Sequence, residues 1–170
     1  MHVMVATDGT IDEKKAAAIA GRLAADGGRV TVFTAVEVPR EMLDDMRSAA
    51  STTSDEKTRE HGVEHRRTPA GDPEVSRWVG DDAVVDRYVS RKVQERTSGL
   101  AAELEAAGVD FTIVGEEGES AARSVLQAVR TQNVDVVCIG THGLGRFEGL
   151  LGSLSTKVAR LAPCPVILVR

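Results

Sequence analysis

Five short apolar runs, separated by stretches with helical periodicity, constrain the fold of this chain more than any other feature. The runs lie at His2–Ala6, Val30–Val36, Phe111–Val114, Val134–Ile139 and Val166–Val169. Their apolar residues do not alternate cleanly with polar ones, which is typical of strands buried on both faces of a parallel sheet. Parallel strands need long crossover connections, usually helices. The sequence therefore predicts an α/β fold with a single doubly wound, five-stranded parallel sheet and helices on both faces.

Apolar residues recur at helical spacing after the first strand, after the third strand and before the last. The three sets are Ala16, Ile19, Ala20 and Leu23; Ala122, Val125, Leu126 and Val129; and Leu154, Val158 and Leu161. Each set is predicted to face the sheet. Thr10 and Glu13 form a capping-box pair, so the first helix is predicted to begin directly after Gly9.

A charged stretch interrupts this rhythm between the second strand and the second helix. From about residue 40 to 82 it carries prolines and lacks an apolar face, and the second helix is predicted from Val84 to near Gly108. We expect one domain over residues 1–170, with the stretch at about 40–82 as an excursion from it.

The same stretch contains His61-Gly-Val-Glu-His65, a literal match to the H-x-x-E-H zinc-peptidase motif. That motif requires both histidines on one helix face and a third ligand from elsewhere. Gly62 and the charged flanks weaken any helix at this position. Coincidence is the favoured interpretation, and no metal site is predicted.

Composition narrows the classes of function. Lys and Arg number 21 against 26 Asp and Glu, a formal net charge of −5, which disfavours nucleic-acid binding. No apolar run approaches the ~18–20 residues of a membrane span, and the N-terminal residues do not resemble a signal peptide. Cys138 and Cys164 match no metal spacing and are expected to be reduced thiols. A cytoplasmic protein without nucleic-acid or membrane partners is expected.

The densest cluster of glycines follows the fourth strand, from Gly140 to Gly152. Glycine lets a backbone approach a ligand closely, and the helix that follows presents N–H groups suited to phosphate. Two interpretations fit: a phosphate-binding loop, or a connector whose helix is capped by Ser153. No Gly-Lys pair and no G-x-G-x-x-G after the first strand occur, so a P-loop NTPase and a Rossmann dehydrogenase are disfavoured.

Several motifs in order resemble the universal stress protein (UspA) family. They are Asp8-Gly-Thr after the first strand, Gly140-Thr-His-Gly143 after the fourth, the later Gly152-Ser153, and the terminal C-P-V-I-L-V. The resemblance covers about residues 1–36 and 111–170. It implies an adenine-nucleotide-hydrolase-like sheet of order 3-2-1-4-5, a homodimer and, in one branch, ATP binding through G-x2-G-x9-G-S/T.

The resemblance also implies a nucleotide site built from strand ends and from the loop after the fourth strand. Its residues are Ala6, Thr7, Asp8, Val36, Ile139, Gly140, Gly143, Gly152, Ser153, Leu154 and Ser155. Those of the first two strands would lie near the base, with Asp8 accepting hydrogen bonds from adenine or ribose. Those of the fourth strand would lie against ribose and phosphates, and residues 152–155 would hold the phosphate tail. Arg146 is a further candidate from its charge alone, and two interpretations fit it: a cation that pairs with phosphate, or a solvated loop arginine, which is the commoner case. The implied ligand is ATP, AMP or ADP, with or without Mg²⁺.

One departure from the family pattern bears on this site. Between Gly143 and Gly152 there are eight residues, where the nucleotide-binding pattern has nine. Removing one residue shortens the loop by up to ~3.5 Å. The phosphate-binding amides would move out of register unless Gly145 and Gly149 let the loop readjust.

The strand order places Asp8 and Gly140 together. In an open α/β sheet, ligands bind where neighbouring strands send their connections to opposite faces. In the order 3-2-1-4-5 this point lies between the first and fourth strands, which end at Asp8 and Gly140. We predict a ligand crevice there.

These features favour a nucleotide-responsive binding and signalling module of the stress response, with an unidentified protein partner. No clear general base or magnesium-holding carboxylate pair accompanies the loop, so any ATP hydrolysis is expected to be slow. One alternative is an interaction-only stress protein of the same fold that binds no nucleotide. A less favoured one is a slow hydrolase that uses Asp8 and His142.

The last strand, Val166–Val169, is an edge strand in this order and carries no charge before Arg170. Bare apolar edges of sheets are usually covered or paired. We expect this strand to pair antiparallel with its copy in a two-fold homodimer.

Overall fold

The computed structural model describes residues 1–38, 79–141 and 152–170. The elements, in chain order, are β1 (His2–Ala6), α1 (Glu13–Ala24), β2 (Arg29–Val36), α2 (Val79–Ala106), β3 (Phe111–Glu117), α3 (Ala121–Thr131), β4 (Val136–Gly140), α4 (Ser153–Leu161) and β5 (Val166–Val169). The chain divides into two compact units, Met1–Glu37 with Val89–Arg170, and Val38–Tyr88. The sheet belongs to the first unit. One domain over residues 1–170 stays a prediction, and most of the expected excursion lies outside the described residues, as do His61 and His65.

The five strands form one sheet in the order β3-β2-β1-β4-β5, and every pairing is parallel. The central strand is β1, in which Val5 pairs with Val32 of β2 on one side and with Cys138 of β4 on the other. All residues of β1 are buried. The predicted order 3-2-1-4-5 is confirmed.

Helices cover both faces of the sheet. Val3 and Val5 belong to one apolar cluster together with buried residues of α1 and α2. Met4 and Ala6 belong to a second cluster together with residues of α3 and α4. Successive side chains of a strand point to opposite faces, so β1 contributes to both clusters. The continuous apolar runs of the sequence reflect this burial on two faces.

The edge strand β3 is longer than the sequence predicts. It continues beyond Val114 to Glu117, and Gly115–Glu117 pair with Thr34–Val36 of β2. Much of β3 is solvent-exposed, and Ile113 keeps 44% of its surface accessible. An edge strand is less buried than a central one, so it can contain polar residues. The polar composition of Gly115–Glu117 therefore gave no signal for a strand in the sequence.

The helix α2 is also longer than predicted. It begins at Val79 rather than Val84, and it ends at Ala106, close before Gly108, which has a φ of +65°. The left-handed glycine is a common helix terminator. Although α2 has 28 residues, it is rich in charged ones. Among the described residues, no helix combines the length and the apolar character that a membrane crossing requires.

The predicted start of α1 is wrong. The helix begins at Glu13, and its N-cap is Asp12, whose side chain accepts from the Lys15 N–H at 3.0 Å. The N–H and hydroxyl groups of Thr10 instead both donate to Oδ1 of Asp8, at 3.0 and 2.6 Å. Residues up to Thr10 therefore form a turn after β1, and the helix starts only beyond it.

The apolar face of α4 is narrower than predicted. Val158 is fully buried and Leu154 packs against the same cluster, but Leu161 is 56% exposed. Leu161 is the last residue of the helix. It therefore lies at the end of the helix, past the residues around Val158 that pack against the sheet.

His2, the first residue of β1, is a buried polar side chain with 5% of its surface exposed. Its Nε2 lies 2.9 Å from Oγ1 of Thr31, and its Nδ1 lies 3.1 Å from the carbonyl oxygen of Gln132. Burial lowers the pKa of the imidazole below its ordinary value of 6.5 because the charged form is poorly solvated there.

This lowered pKa gives the stability a pH dependence of definite sign. As the pH falls through the ordinary value of 6.5, the unfolded chain takes up a proton that the folded chain binds less readily, so the free energy of unfolding decreases. Between about pH 7 and about pH 5, we expect the free energy of unfolding to decrease less in a His2→Gln variant than in the wild type. Urea unfolding across a pH series measures this difference. Equal slopes in the two proteins contradict the assignment.

Candidate functional site

The crevice predicted from topology lies at the carboxyl ends of β1 and β4. These strands are neighbours, and their last paired residues are Ala6 and Ile139. The chain leaves β1 towards α1 on one face of the sheet, while the helix that follows β4 lies on the opposite face. Connections that diverge in this way leave a gap beyond the strand ends, which is where open α/β sheets bind ligands.

A tight turn follows β1 at this point. The Thr7 N–H donates to the carbonyl oxygen of Phe33 at 2.9 Å, and Oγ1 of Thr7 accepts from the Gly9 N–H at 2.9 Å. Oδ1 of Asp8 accepts both bonds from Thr10. Within the described part of the chain, Oδ2 of Asp8 has no partner. The turn thus holds a half-buried carboxylate with one free oxygen beside the strand ends.

Gly9 is required in this turn for two reasons. Its φ is +91°, in the left-handed region that favours glycine. A Cβ at Gly9 would also lie 3.3 Å from Cα of Arg96, so the turn packs directly on the backbone of α2.

The end of β2 forms the neighbouring wall. The carbonyl oxygen of Phe33 accepts from β1, and the carbonyl oxygen of Ala35, two residues further, points to the same side, where β1 has ended. Nη1 of Arg96 donates to that oxygen at 2.7 Å. The carbonyl oxygen of Val36 accepts from the Gly118 N–H at 3.1 Å. Sequence reasoning missed Arg96, although it lies four residues before the buried Leu100 on the same helical face.

Two hydrogen bonds tie the start of α4 to the end of β4. Oγ of Ser155 donates to the carbonyl oxygen of Gly140 at 2.6 Å. The Gly152 N–H donates to the carbonyl oxygen of Thr141 at 3.0 Å. Both Ser155 and Thr141 are buried. The first turn of α4 is therefore held beside the ends of β1 and β4.

The N-cap of α4 is Gly152, and no side chain of the described residues caps the helix. The prediction that Ser153 caps it is therefore wrong, because Ser153 is already the first helical residue. The first helical bond runs from the Thr156 N–H to the carbonyl oxygen of Gly152 at 2.9 Å. The N–H groups of residues 153–155 precede it and point out of the helix end, as the first amides of any helix do.

The structure brings most of the predicted site residues together. Ala6 pairs with Ile139 on the adjacent strand, and Thr7 and Asp8 follow directly after Ala6, as Gly140 follows Ile139. Residues 152–155 are tied to the same place, and Val36 lies one strand further, at the end of β2. The side chains of Ala6, Ile139 and Val36 are buried, so only their backbone atoms could face a ligand. Gly143 and Arg146, together with His142, lie outside the described residues.

Both cysteines are free thiols, as predicted. Burial raises the pKa of Cys138, in the centre of β4, to about 11, and it also raises the pKa of Cys164. A thiol with a raised pKa is a poor nucleophile at neutral pH. In residues 1–38, 79–141 and 152–170, no group of three His, Cys, Asp or Glu side chains is arranged to hold a metal ion.

Sequence comparisons identify one family. The model of the universal stress protein family matches residues 1–170. A universal stress protein of Thermus aquaticus is 50% identical over 50 residues, which cover 29% of this chain and 36% of that protein. Universal stress protein YxiE of Bacillus subtilis is 35% identical over 80 residues, covering 46% and 51% of the two chains. The matches thus span about a third to a half of the length of these relatives.

Solved structures share the fold over nearly the whole chain. The hypothetical protein MJ0577 superposes with a TM-score of 0.62 at 15% identity, covering 99% of this chain and 94% of that one. A universal stress protein in complex with cAMP superposes with a TM-score of 0.54 at 18% identity, covering 100% of this chain and 96% of that one. For the universal stress protein of Archaeoglobus fulgidus in complex with dAMP, the TM-score is 0.50 at 16% identity, and the match covers 100% of this chain and 98% of that one.

The contact between Gly9 and α2 can be tested by two matched substitutions. Gly9→Ala is expected to lose roughly 1–2 kcal/mol of unfolding free energy from its left-handed conformation, and a further amount from contact with Arg96. Gly27→Ala is the control, since Gly27 has a φ of +81° but nothing within 4 Å of its Cβ position. Urea unfolding of both variants measures the difference. Equal losses would show that α2 does not constrain the turn.

Proposed function

The chain belongs to the universal stress protein family, and on that premise we propose that it binds an adenine nucleotide in the crevice between β1 and β4. Nucleotide occupancy then changes the surface offered to a protein partner in the stress response. The observation that carries the proposal is the position of α4: hydrogen bonds from Ser155 and Gly152 hold its N-terminus beside the crevice that the topology opens.

The phosphate end of the nucleotide is proposed to lie at the N-terminus of α4. The amides of Ser153, Leu154 and Ser155 supply donors, and the helix dipole favours a negative charge there. The exposed Ser153 side chain adds a hydroxyl group. Ser155 contributes through its N–H group, because its hydroxyl proton is already donated to Gly140.

The sugar and base are proposed to extend from α4 across the ends of β4 and β1 towards β2. Oδ2 of Asp8 accepts from a ribose hydroxyl group, and backbone atoms of Ala6, Thr7, Ile139 and Gly140 line the path. The backbone of Val36 meets the base. Gly143 and Arg146 are proposed to contact the phosphate side of the nucleotide.

Adenine is the proposed base because structures of this fold hold cAMP and dAMP, which share an adenine base on a phosphorylated sugar. ATP, with or without Mg²⁺, is the finer proposal, and it depends on how the eight-residue loop between Gly143 and Gly152 accommodates a longer phosphate chain. Binding rather than turnover is the proposed role. A cytoplasmic location is proposed as well, since both cysteines are unpaired thiols.

Nucleotide binding can be tested by calorimetry with AMP, ADP and ATP. We expect saturable binding, weakened about tenfold in Asp8→Asn, because a charge-assisted hydrogen bond to ribose becomes a neutral one. The amide keeps the oxygen that accepts from Thr10. Asp26→Asn, which changes an exposed carboxylate in the turn after α1, is the control and is expected to bind as the wild type does.

Absence of both heat and thermal shift with millimolar nucleotide would favour the interaction-only alternative. Mass spectrometry of the supernatant from freshly purified, denatured protein provides an independent test, because a nucleotide retained through purification would be released there.

We also propose that the chain forms a homodimer through β5. One side of β5 pairs with β4, and no strand of the described residues pairs with its other side. Leu168 of this strand is 36% exposed. Antiparallel pairing with the same strand of a second copy covers this edge and satisfies its backbone groups.

The dimer can be tested by sedimentation at micromolar concentration. Leu168→Lys is expected to shift the protein towards monomer, because it places a charge at the paired edge. Ile113→Lys is the matched control, since Ile113 is a similarly exposed residue on the opposite edge strand, β3. A monomeric wild type, or equal effects of the two variants, would contradict pairing through β5.

A further inference from the structure

We propose that Arg96 contacts the base of the bound nucleotide by donating a hydrogen bond from its guanidinium group to a ring nitrogen of the purine. This inference rests on the proposed function and assigns a residue on α2 to the end of the crevice opposite α4.

The guanidinium group lies where β1 would continue if it were longer. Along β2, the carbonyl oxygen of Phe33 is bonded by the Thr7 N–H, and that of Ala35 is bonded by Nη1 of Arg96 at 2.7 Å. Arg96 therefore supplies the donor that β1 no longer provides after the chain turns away at Asp8. This position is the edge of the crevice beside the end of β2.

The Arg96 residue has a contact at each end, one at its Cα and one at its guanidinium group. Cα of Arg96 lies against Gly9, where an added Cβ would be 3.3 Å away. From there the side chain reaches to Ala35, so it runs from the turn after β1 to the end of β2. The two contacts hold a half-buried cation at this side of the crevice.

Most donors of this guanidinium group have no partner among the described residues. An arginine carries five N–H donors and no acceptor. The described residues take one of them, through Ala35, and none of the ion pairs in residues 1–38, 79–141 and 152–170 includes Arg96. A rigid, partly buried donor group of this kind suits a planar ligand with several acceptors.

The opposite end of the crevice determines which part of a nucleotide reaches Arg96. The amides of α4 lie beside β4, whereas Ala35 lies on β2, and β1 runs between these two strands. Neighbouring strands are about 4.8 Å apart, so the two ends are separated by roughly 10 Å. A nucleotide with its phosphate on α4 therefore directs its base towards Arg96. Purine ring nitrogens accept hydrogen bonds and match a group that can only donate them.

Three ligands separate the base from the phosphate in the test: AMP, adenosine and ribose 5-phosphate. In Arg96→Ala, the affinities for AMP and adenosine are expected to fall by the same factor, roughly tenfold. The affinity for ribose 5-phosphate, which has no base, is expected to stay at the wild-type value. Binding is followed by ligand-observed NMR, which detects weak association, and unfolding midpoints confirm that each variant is folded.

Two further variants distinguish direct contact from a structural effect. Arg96→Lys keeps the charge and a donor for Ala35 but lacks the planar fork, so it is expected to bind AMP more weakly than the wild type. Arg91→Ala is the control, because it removes an exposed arginine of the same helix, whose Nε lies 3.8 Å from Oε1 of Glu95. It is expected to leave all three affinities unchanged.

The outcomes are distinct. Full AMP affinity in Arg96→Lys would overturn the proposal in favour of a role through Ala35 alone. A parallel loss for ribose 5-phosphate would place Arg96 at the phosphate, and tighter AMP binding in Arg96→Ala would make it an obstacle; each overturns the proposal. A wild type that binds none of the ligands refutes the proposed function itself, whereas a wild type that binds AMP with the same affinity as Arg96→Ala refutes only the role of Arg96.

Discussion

The change of face between the connection after β1 and the connection after β4 is the constraint on which the rest of the site depends. Both strands are buried in the centre of a parallel sheet, and each must be followed by a helix that covers a face. The helix after β1 covers one face and the helix after β4 covers the other. The two connections therefore diverge beyond the strand ends, which is where open α/β sheets bind ligands. The roles proposed for Asp8 and for α4 depend on this divergence.

Hydrogen bonds local to the crevice make its walls rigid before any ligand arrives. The turn at Asp8 is closed by bonds from Gly9 and Thr10, and the start of α4 is closed by the bonds of Ser155 and Gly152. Without these bonds, the same protein groups would have to become ordered when a ligand binds. The groups left over, namely one carboxylate oxygen and the first amides of α4, are already oriented. Such preorganisation favours binding because little entropy remains to be lost.

Much of the fold was predictable because its signals are local. The apolar runs identified β1 and β5 with their observed bounds, and the helical spacing of Val125 and Val129 identified the buried face of α3. Competing local signals produced the errors. Thr10 and Glu13 have the right spacing for a capping box, but Asp8 binds both donors of Thr10, so Asp12 caps the helix instead.

Motifs at strand ends also indicated most of the candidate site, since Asp8 and Gly140 follow strands whose order follows from the family resemblance. The contact between Arg96 and Ala35 has no such signal. The two residues are 61 positions apart, and their hydrogen bond requires α2 to cross the sheet at one particular place. Sequence patterns determine which faces are apolar and where strands end, because these depend on neighbours along the chain. Which side chain meets an unpaired carbonyl group depends on how a helix packs across the sheet, and that packing is a property of the folded chain alone.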